Sequence, residues 1–329
     1  MTKKSKDSNS RRKVLQGMAG VGTAAVLSAC GQTAPTAAPT APPAAKREPV
    51  RFDDPEWNRD ALARMSGNMD FGKVKHGWYG GSVLGVREGE ALRPLMDFEG
   101  FSSIRLVDNG DGSYQRLLRE TVYYKDLATG EVMDTFVNPY TDEEVRVVPV
   151  TNDPFNQVIS QYAPKGPSYG GLREVKQERK PLQLAWKITK PDTVTLARDI
   201  HLYYPSALQP DEWPRESSGK MVRVSEFFRH VVSKDDLENP ELTAIEYNGT
   251  WARVTPWLPW MLMGQAEGHI MYMGRMGSFN NLDMLSPQVR AYAEKNHPQY
   301  FDAPQEWVEP SLSSLEDYAR TQKPAPVKK

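Results

Sequence analysis

From His76 onward, turn signals at close intervals cut the chain into short runs of aromatic and β-branched residues, and this pattern most limits what it can fold into. Residues 78–86 and 95–107 are two such runs. Asn109-Gly110-Asp111-Gly112 has the turn chemistry of a hairpin, and residues 114–124 beyond it hold enough branched and aromatic side chains for a strand. Asp126 to Gly130 turns into 131–137, and Asn138-Pro139-Tyr140-Thr141-Asp142 turns into 145–150, so the spacing predicts a meander of hairpins. A second alternating pair has Leu182, Leu184, Trp186 and Ile188 on one side, a turn at Lys190-Pro191-Asp192-Thr193, then Val194, Leu196, Ile200 and Leu202. Residues 221–232 and 268–275 read as further strands.

Helices flank this stretch. Asp54-Pro55 supplies a cap and a first-turn proline ahead of Trp57, Ala61, Leu62 and Met65, with Gly67 as the stop. Ser286-Pro287 opens a helix to about Asn296, and Ser313 with Glu316 gives a capping-box signature. The expectation is a mainly β fold, an antiparallel curled sheet or calycin-like barrel with peripheral N- and C-terminal helices, because closure removes exposed edges. With no internal repeat and no second linker, 49–318 reads as a single β-rich domain and 319–329 as a disordered tail.

The first 48 residues carry an address. A basic region containing Arg11-Arg12-Lys13-Val14-Leu15 runs into an apolar stretch that ends Leu27-Ser28-Ala29-Cys30. The paired arginines resemble a twin-arginine export signal, and Leu-Ser-Ala-Cys resembles a lipobox whose cysteine is acylated after cleavage. A membrane span needs about 20 apolar residues, and Gln16, Gly17, Gly20 and Gly22 interrupt this run. Residues 1–29 therefore read as a signal peptide and 30–48 as an Ala/Pro/Thr linker behind the lipidated Cys30, with the membrane contacted through the N-terminal lipid only. The expected location is the periplasmic or outer face of a bacterial membrane.

Removing residues 1–29, with six Lys/Arg and one acid, leaves 35 basic against 41 acidic residues. That balance argues against a nucleic-acid partner. Cys30 is the only cysteine, so neither an intrachain disulfide nor a cysteine metal cluster can form. The chain has no His-Glu-x-x-His, no Gly-x-Ser-x-Gly and no phosphate-cradling glycine loop, which disfavours the familiar hydrolase and nucleotide classes. No cofactor and no metal site is expected.

Residues 251–276 concentrate three of the eight tryptophans with two prolines and five methionines. Pro256 and Pro259 cannot donate to a sheet ladder, so irregular backbone is expected there. Trp257, Trp260 and Met263 then either fill a core or line a pocket, with Gln265 as a polar group among them. Glu267 and His269, two apart on a strand, share a face; Glu226 and His230, four apart, share another with Val222, Val224 and Phe228. Either pair suits a base with an orienting carboxylate, two ligands of a metal completed from elsewhere, or a plain hydrogen-bonded pair. Arg198 interrupts an apolar face, where it can hold a carboxylate from Glu226 or Asp153 or anchor an anionic ligand. His76, His201 and His297 show no partner.

Asn152-Asp153-Pro154 is a turn by composition. Together with Tyr204-Pro205, Pro210-Asp211-Glu212-Trp213-Pro214, Ser217-Ser218-Gly219 and the run from Thr255 to Gln265, it resembles the bacterial and fungal domain-of-unknown-function family 1838, over about Trp57 to Tyr318. The resemblance implies one domain and an often exported protein, and it implies no reaction. Asn152, Asp153 and Trp213, which lie in these motifs, join the ligand-binding candidates. The leading expectation is a lipid-anchored envelope protein that binds an apolar or aromatic small molecule. The alternatives are a cofactor-free lyase, isomerase or hydrolase using a Glu/His pair, and a structural protein of the envelope.

Overall fold

The computed structural model describes residues 47–152, 154–164, 179–308 and 311–327. Helix α1 (Pro55–Ser66) starts as its sequence dictates: Asp54 accepts from the Glu56 and Trp57 amides, and Pro55 occupies the first turn. At its end Gly67 is required by space, because a Cβ there would sit 2.5 Å from Leu106 Cγ. The strands that follow are β1 (Lys75–Val86), β2 (Arg93–Asp108), β3 (Tyr114–Lys125), β4 (Thr135–Asn138), β5 (Glu143–Arg146), β6 (Val150–Asn152) and β7 (Gln157–Ile159). After them come β8 (Ala185–Lys190), β9 (Thr193–Pro205), β10 (Met221–Ser233), the short α2 (Lys234–Glu238), β11 (Tyr247–Thr255) and β12 (His269–Phe279). Helices α3 (Pro287–Asn296) and α4 (Ser314–Thr321) complete the chain, and α4 carries the capping box reciprocally between Ser313 and Glu316.

Ten strands form one sheet in the order β6-β3-β2-β1-β12-β11-β10-β9-β8, with β7 also on β3, and every pairing is antiparallel. Two meanders, β1 to β3 and β8 to β12, are joined side by side through β1 and β12. Strands β4 and β5 make a separate hairpin. The structure takes the curled-sheet form and does not close as a barrel: among the described residues no ladder joins β7 to β8. At that gap the chain leaving β7 meets the chain entering β8 through Ala163 N to Lys180 O and Leu182 N to Gln161 O. Gly100 permits the tight curl, since a Cβ would lie 2.1 Å from Thr121 O and 2.5 Å from the Tyr79 ring. Tyr79 covers it and donates its hydroxyl to Thr121 O.

The ends and the outside are packed by different elements. At one end α1 contributes Trp57, Ala61 and Met65 against Val194, Leu196 and Val232. The other end is filled by the β4–β5 hairpin (Phe136, Val145), Trp257, Trp260 and Tyr318 of α4. Helix α3 and residues to Tyr300 cover Phe101 and Tyr123 on the outer face. There the buried Glu99 accepts from Trp78 Nε1, Lys125 Nζ and both Ser286 N and Oγ, so the α3 cap is tied to the sheet. Helix α4 runs past the boundary drawn at 318, and the chain beyond it is held where Ala325 N donates to Glu216 Oε1.

The Trp/Met run opens on strand β11, which continues to Thr255, and closes on β12 from His269, so the irregular backbone expected at Pro256 and Pro259 occupies only the stretch between these two strands. Trp251, Arg253 and Thr255 face the interior and alternate with Ala252 and Val254, a pattern obscured by a charged residue on the inner face. The irregular stretch begins at Pro256 and contains a 3-10 turn at Pro259–Met261.

Candidate functional site

Inside the curl lies a cavity of about 2040 Å³, open in part to solvent. Most ligand pockets measure about 300–1,000 Å³, so this one has room for a large molecule or for a small one with water. The wall is apolar along Leu118, Val122, Leu202, Val222, Val224 and Trp251. A polar band crosses it, made by Arg116 and Glu120 of β3, Arg198 of β9, Glu226 and His230 of β10, and Tyr247 and Arg253 of β11.

The band has a definite pairing. Glu226 and Arg253 are register partners across β10 and β11, and Arg253 Nη1 lies 3.2 Å from Glu226 Oε1. Glu120 accepts from Asn152 Nδ2 at 2.6 Å, across the β3–β6 ladder. Burial raises the Glu120 pKa, and the Glu226 carboxylate adds to the effect against the opposing Asn152 hydrogen bond. His230 Nδ1 donates to Leu196 O at 3.3 Å, and its ring meets Tyr247 edge-on at 4.8 Å. Burial first, then the nearby Arg198, push its pKa down to about 4, so the imidazole is neutral at neutral pH. Tyr124 and Tyr272 share a hydroxyl hydrogen bond of 2.8 Å beside Phe98.

The structure brings Asn152, Arg198, Glu226, His230, Trp257 and Trp260 to the cavity wall. Glu226 and His230 share the inner face of β10 with Val222, Val224 and Phe228, as the alternation requires. They do not form a hydrogen-bonded pair: four residues along a strand span about 13 Å, Glu226 engages Arg253, and His230 engages Leu196 O. Arg198 therefore holds neither Glu226 nor any other described carboxylate. Trp257 and Trp260 are 4% and 3% exposed, and they pack on Tyr140 and on Tyr124 and Phe136 while bordering the cavity. They serve the core and the cavity at once.

Five candidates lie elsewhere. Glu267 and Gln265 are exposed in the loop ahead of β12. Ile270 and Tyr272 are buried at the start of β12, so alternation turns His269 to the other face. Met263 packs under the hairpin, where Asn138 Nδ2 reaches its sulfur at 3.2 Å and Met261 O at 2.8 Å. Trp213 stacks edge-on against Tyr318 in the core, 5.8 Å between centroids. Arg11, Arg12, Cys30 and Asp153 fall outside the described residues. Sequence reasoning missed Arg116, Glu120, Tyr247 and Arg253. The signal was present in β3, where Arg116 and Glu120 alternate in phase with Leu118, Val122 and Tyr124.

Among the described residues no helix is long and apolar enough to cross a membrane, and no three His, Cys, Asp or Glu side chains converge on a common point. A comparison with curated proteins returns no match to this chain. A family model described as protein of unknown function (DUF1838) matches residues 73–322, from just ahead of β1 to the end of α4. Because that span covers the whole sheet and most of the sequence, the chain belongs to DUF1838.

Proposed function

We propose that this chain is an exported, lipid-anchored binding protein that holds an apolar or aromatic small molecule in its interior cavity. The observation that carries the reading is the cavity itself, about 2040 Å³ with apolar walls and a short polar band. Such a surface, mostly apolar with a few convergent polar groups, is the usual form of a small-molecule site. Trp251, Trp257 and Trp260 border it and supply flat apolar faces. Protein purified from its own host is expected to retain a small molecule, seen as an added mass in native mass spectrometry and released on denaturation. A single apo mass, together with tryptophan emission that no apolar probe shifts, would remove the proposal.

Export and anchoring rest on Arg11-Arg12 and on Leu27-Ser28-Ala29-Cys30. Cys30→Ala is expected to move the protein from the membrane fraction to the soluble fraction. Unchanged fractionation would defeat the lipidation claim. The enzymatic alternative has less support, because Glu267 and His269 lie off the cavity and Glu226 is ion-paired far from His230 along β10.

A further inference from the structure

Resting on the reading of the cavity as a ligand site, we infer that the ligand is an amphipathic monoanion, a carboxylic acid with an apolar or aromatic body, and that Arg198 and Arg116 hold its carboxylate. Two arginines enter the interior with no described carboxylate hydrogen-bonded or ion-paired to them, although Glu120 acts electrostatically on Arg116. Arg198 makes no hydrogen bond or ion pair with any described residue, although it lines the cavity. Arg116 donates to the neutral Gln157 Oε1 at 3.1 Å, while its Nε is buried with no partner. The interior acids are engaged elsewhere, Glu226 with Arg253 and Glu120 with Asn152. Within the polar band three guanidinium groups thus face two carboxyl groups, and a buried cation lacking a counterion is costly. The other acids of the wall include Glu216, which accepts from Ala325 N, and Asp317 of α4.

Tyr247 completes the subsite. Arg116, Arg198 and Tyr247 all line the cavity, and both arginines act electrostatically on the Tyr247 hydroxyl. Burial dominates and raises its pKa, so the phenol stays neutral and is available as a donor. A carboxylate accepts from a guanidinium fork and a hydroxyl with good geometry. Within the band one negative charge balances the one surplus cation, whereas a polyanion overbalances it and a neutral ligand leaves it unmatched.

The walls say where the rest of the molecule goes. Arg198 is the register partner of Phe228, and Phe228 of Trp251, so carbon attached to a bound carboxylate lies against these two rings. The cavity continues to Thr255, Trp257 and Trp260. Tyr247 and Thr255 are eight residues apart on β11, about 26 Å along a strand, which accommodates an extended apolar chain.

The test titrates the mature protein, freed of bound small molecules, with dodecanoate and with dodecan-1-ol, following tryptophan emission. Wild type is expected to bind the acid at least about tenfold more tightly, in keeping with hydrogen bonds to a charged group. Arg198→Gln should lose that preference while keeping its affinity for the alcohol. Without ligand, the same variant should unfold at the wild-type temperature or above it, because an unmatched buried cation has been removed. Equal binding of acid and alcohol by wild type would overturn the anionic subsite and leave the cavity reading intact. A preference that survives both Arg198→Gln and Arg116→Gln, or an Arg198→Gln protein that melts well below wild type, would overturn the assignment of these arginines. Failure of both probes to bind would remove the cavity reading and this inference with it.

Discussion

Lys75→Met is expected to destabilise the domain by about 3–5 kcal/mol, the sum expected when three buried carbonyls lose their donor. Lys75 begins β1 and is fully buried, and its Nζ donates to Arg64 O and Met65 O at 3.0 Å each and to Ile245 O at 2.5 Å. These bonds cap the last carbonyls of α1 with a cation and tie that helix end to the chain entering β11. Methionine keeps the length of the side chain and removes every donor. Burial pushes the Lys75 pKa down to about 7, so the comparison belongs near pH 6, where the charged form with three N–H groups prevails. Urea denaturation of both proteins gives the difference as a shift of midpoint at constant slope. A loss below about 1 kcal/mol would show that the carbonyls find other donors or water.

The second large effect is an acid sensitivity held in His230. Its folded pKa is near 4, while a histidine in the unfolded chain titrates near 6.5. Between these values the unfolded state binds a proton that the folded state refuses, so stability falls as pH drops through this window. Linkage sets the loss at about 2 kcal/mol between pH 7 and pH 5, with a limit of about 3 kcal/mol below pH 4. Depressed carboxylates such as Glu99 also lose stability as pH falls, but they do so equally in wild type and in a His230 variant. The readout is therefore the difference between wild type and His230→Gln measured at both pH values. Parallel pH dependence in the two proteins would show that His230 is protonated in the folded state. Protonation would also place a further cation in the compartment of Arg198 and Arg116, which links the acid response to the proposed anion subsite.

Much of the architecture was legible in local chemistry. Asp54-Pro55, Ser286-Pro287 and the Ser313/Glu316 box begin the helices they predict, because capping depends on three or four neighbouring residues. Alternation along β10 placed Val222, Val224, Glu226, Phe228 and His230 on one face, and they line the cavity together. Alternation says nothing about distance along the strand, so the same reading made Glu226 and His230 a pair that the 13 Å spacing forbids, at about 3.3 Å per residue. The Trp/Met run mixed four environments, and its last part, from His269, is β12. Its first part is strand, its middle is a 3-10 turn, and Gln265 with Glu267 belongs to an exposed loop.

The sequence by itself determined the helix caps, the turn between β8 and β9 and the inward side of β9 and β10, since these follow from backbone geometry within a few residues. Only the tertiary structure decided that β12 pairs with β1, joining residues about two hundred positions apart and setting one meander against the other. That pairing brings the two meanders together, and residues of both line the cavity. It also decides which charges meet: Arg253 finds Glu226 across a ladder, while Arg116 of β3 and Arg198 of β9 line the same cavity with no described carboxylate hydrogen-bonded to either. Charge partners are chosen by neighbours across the sheet, and a chain of alternating residues carries no record of which neighbours those will be.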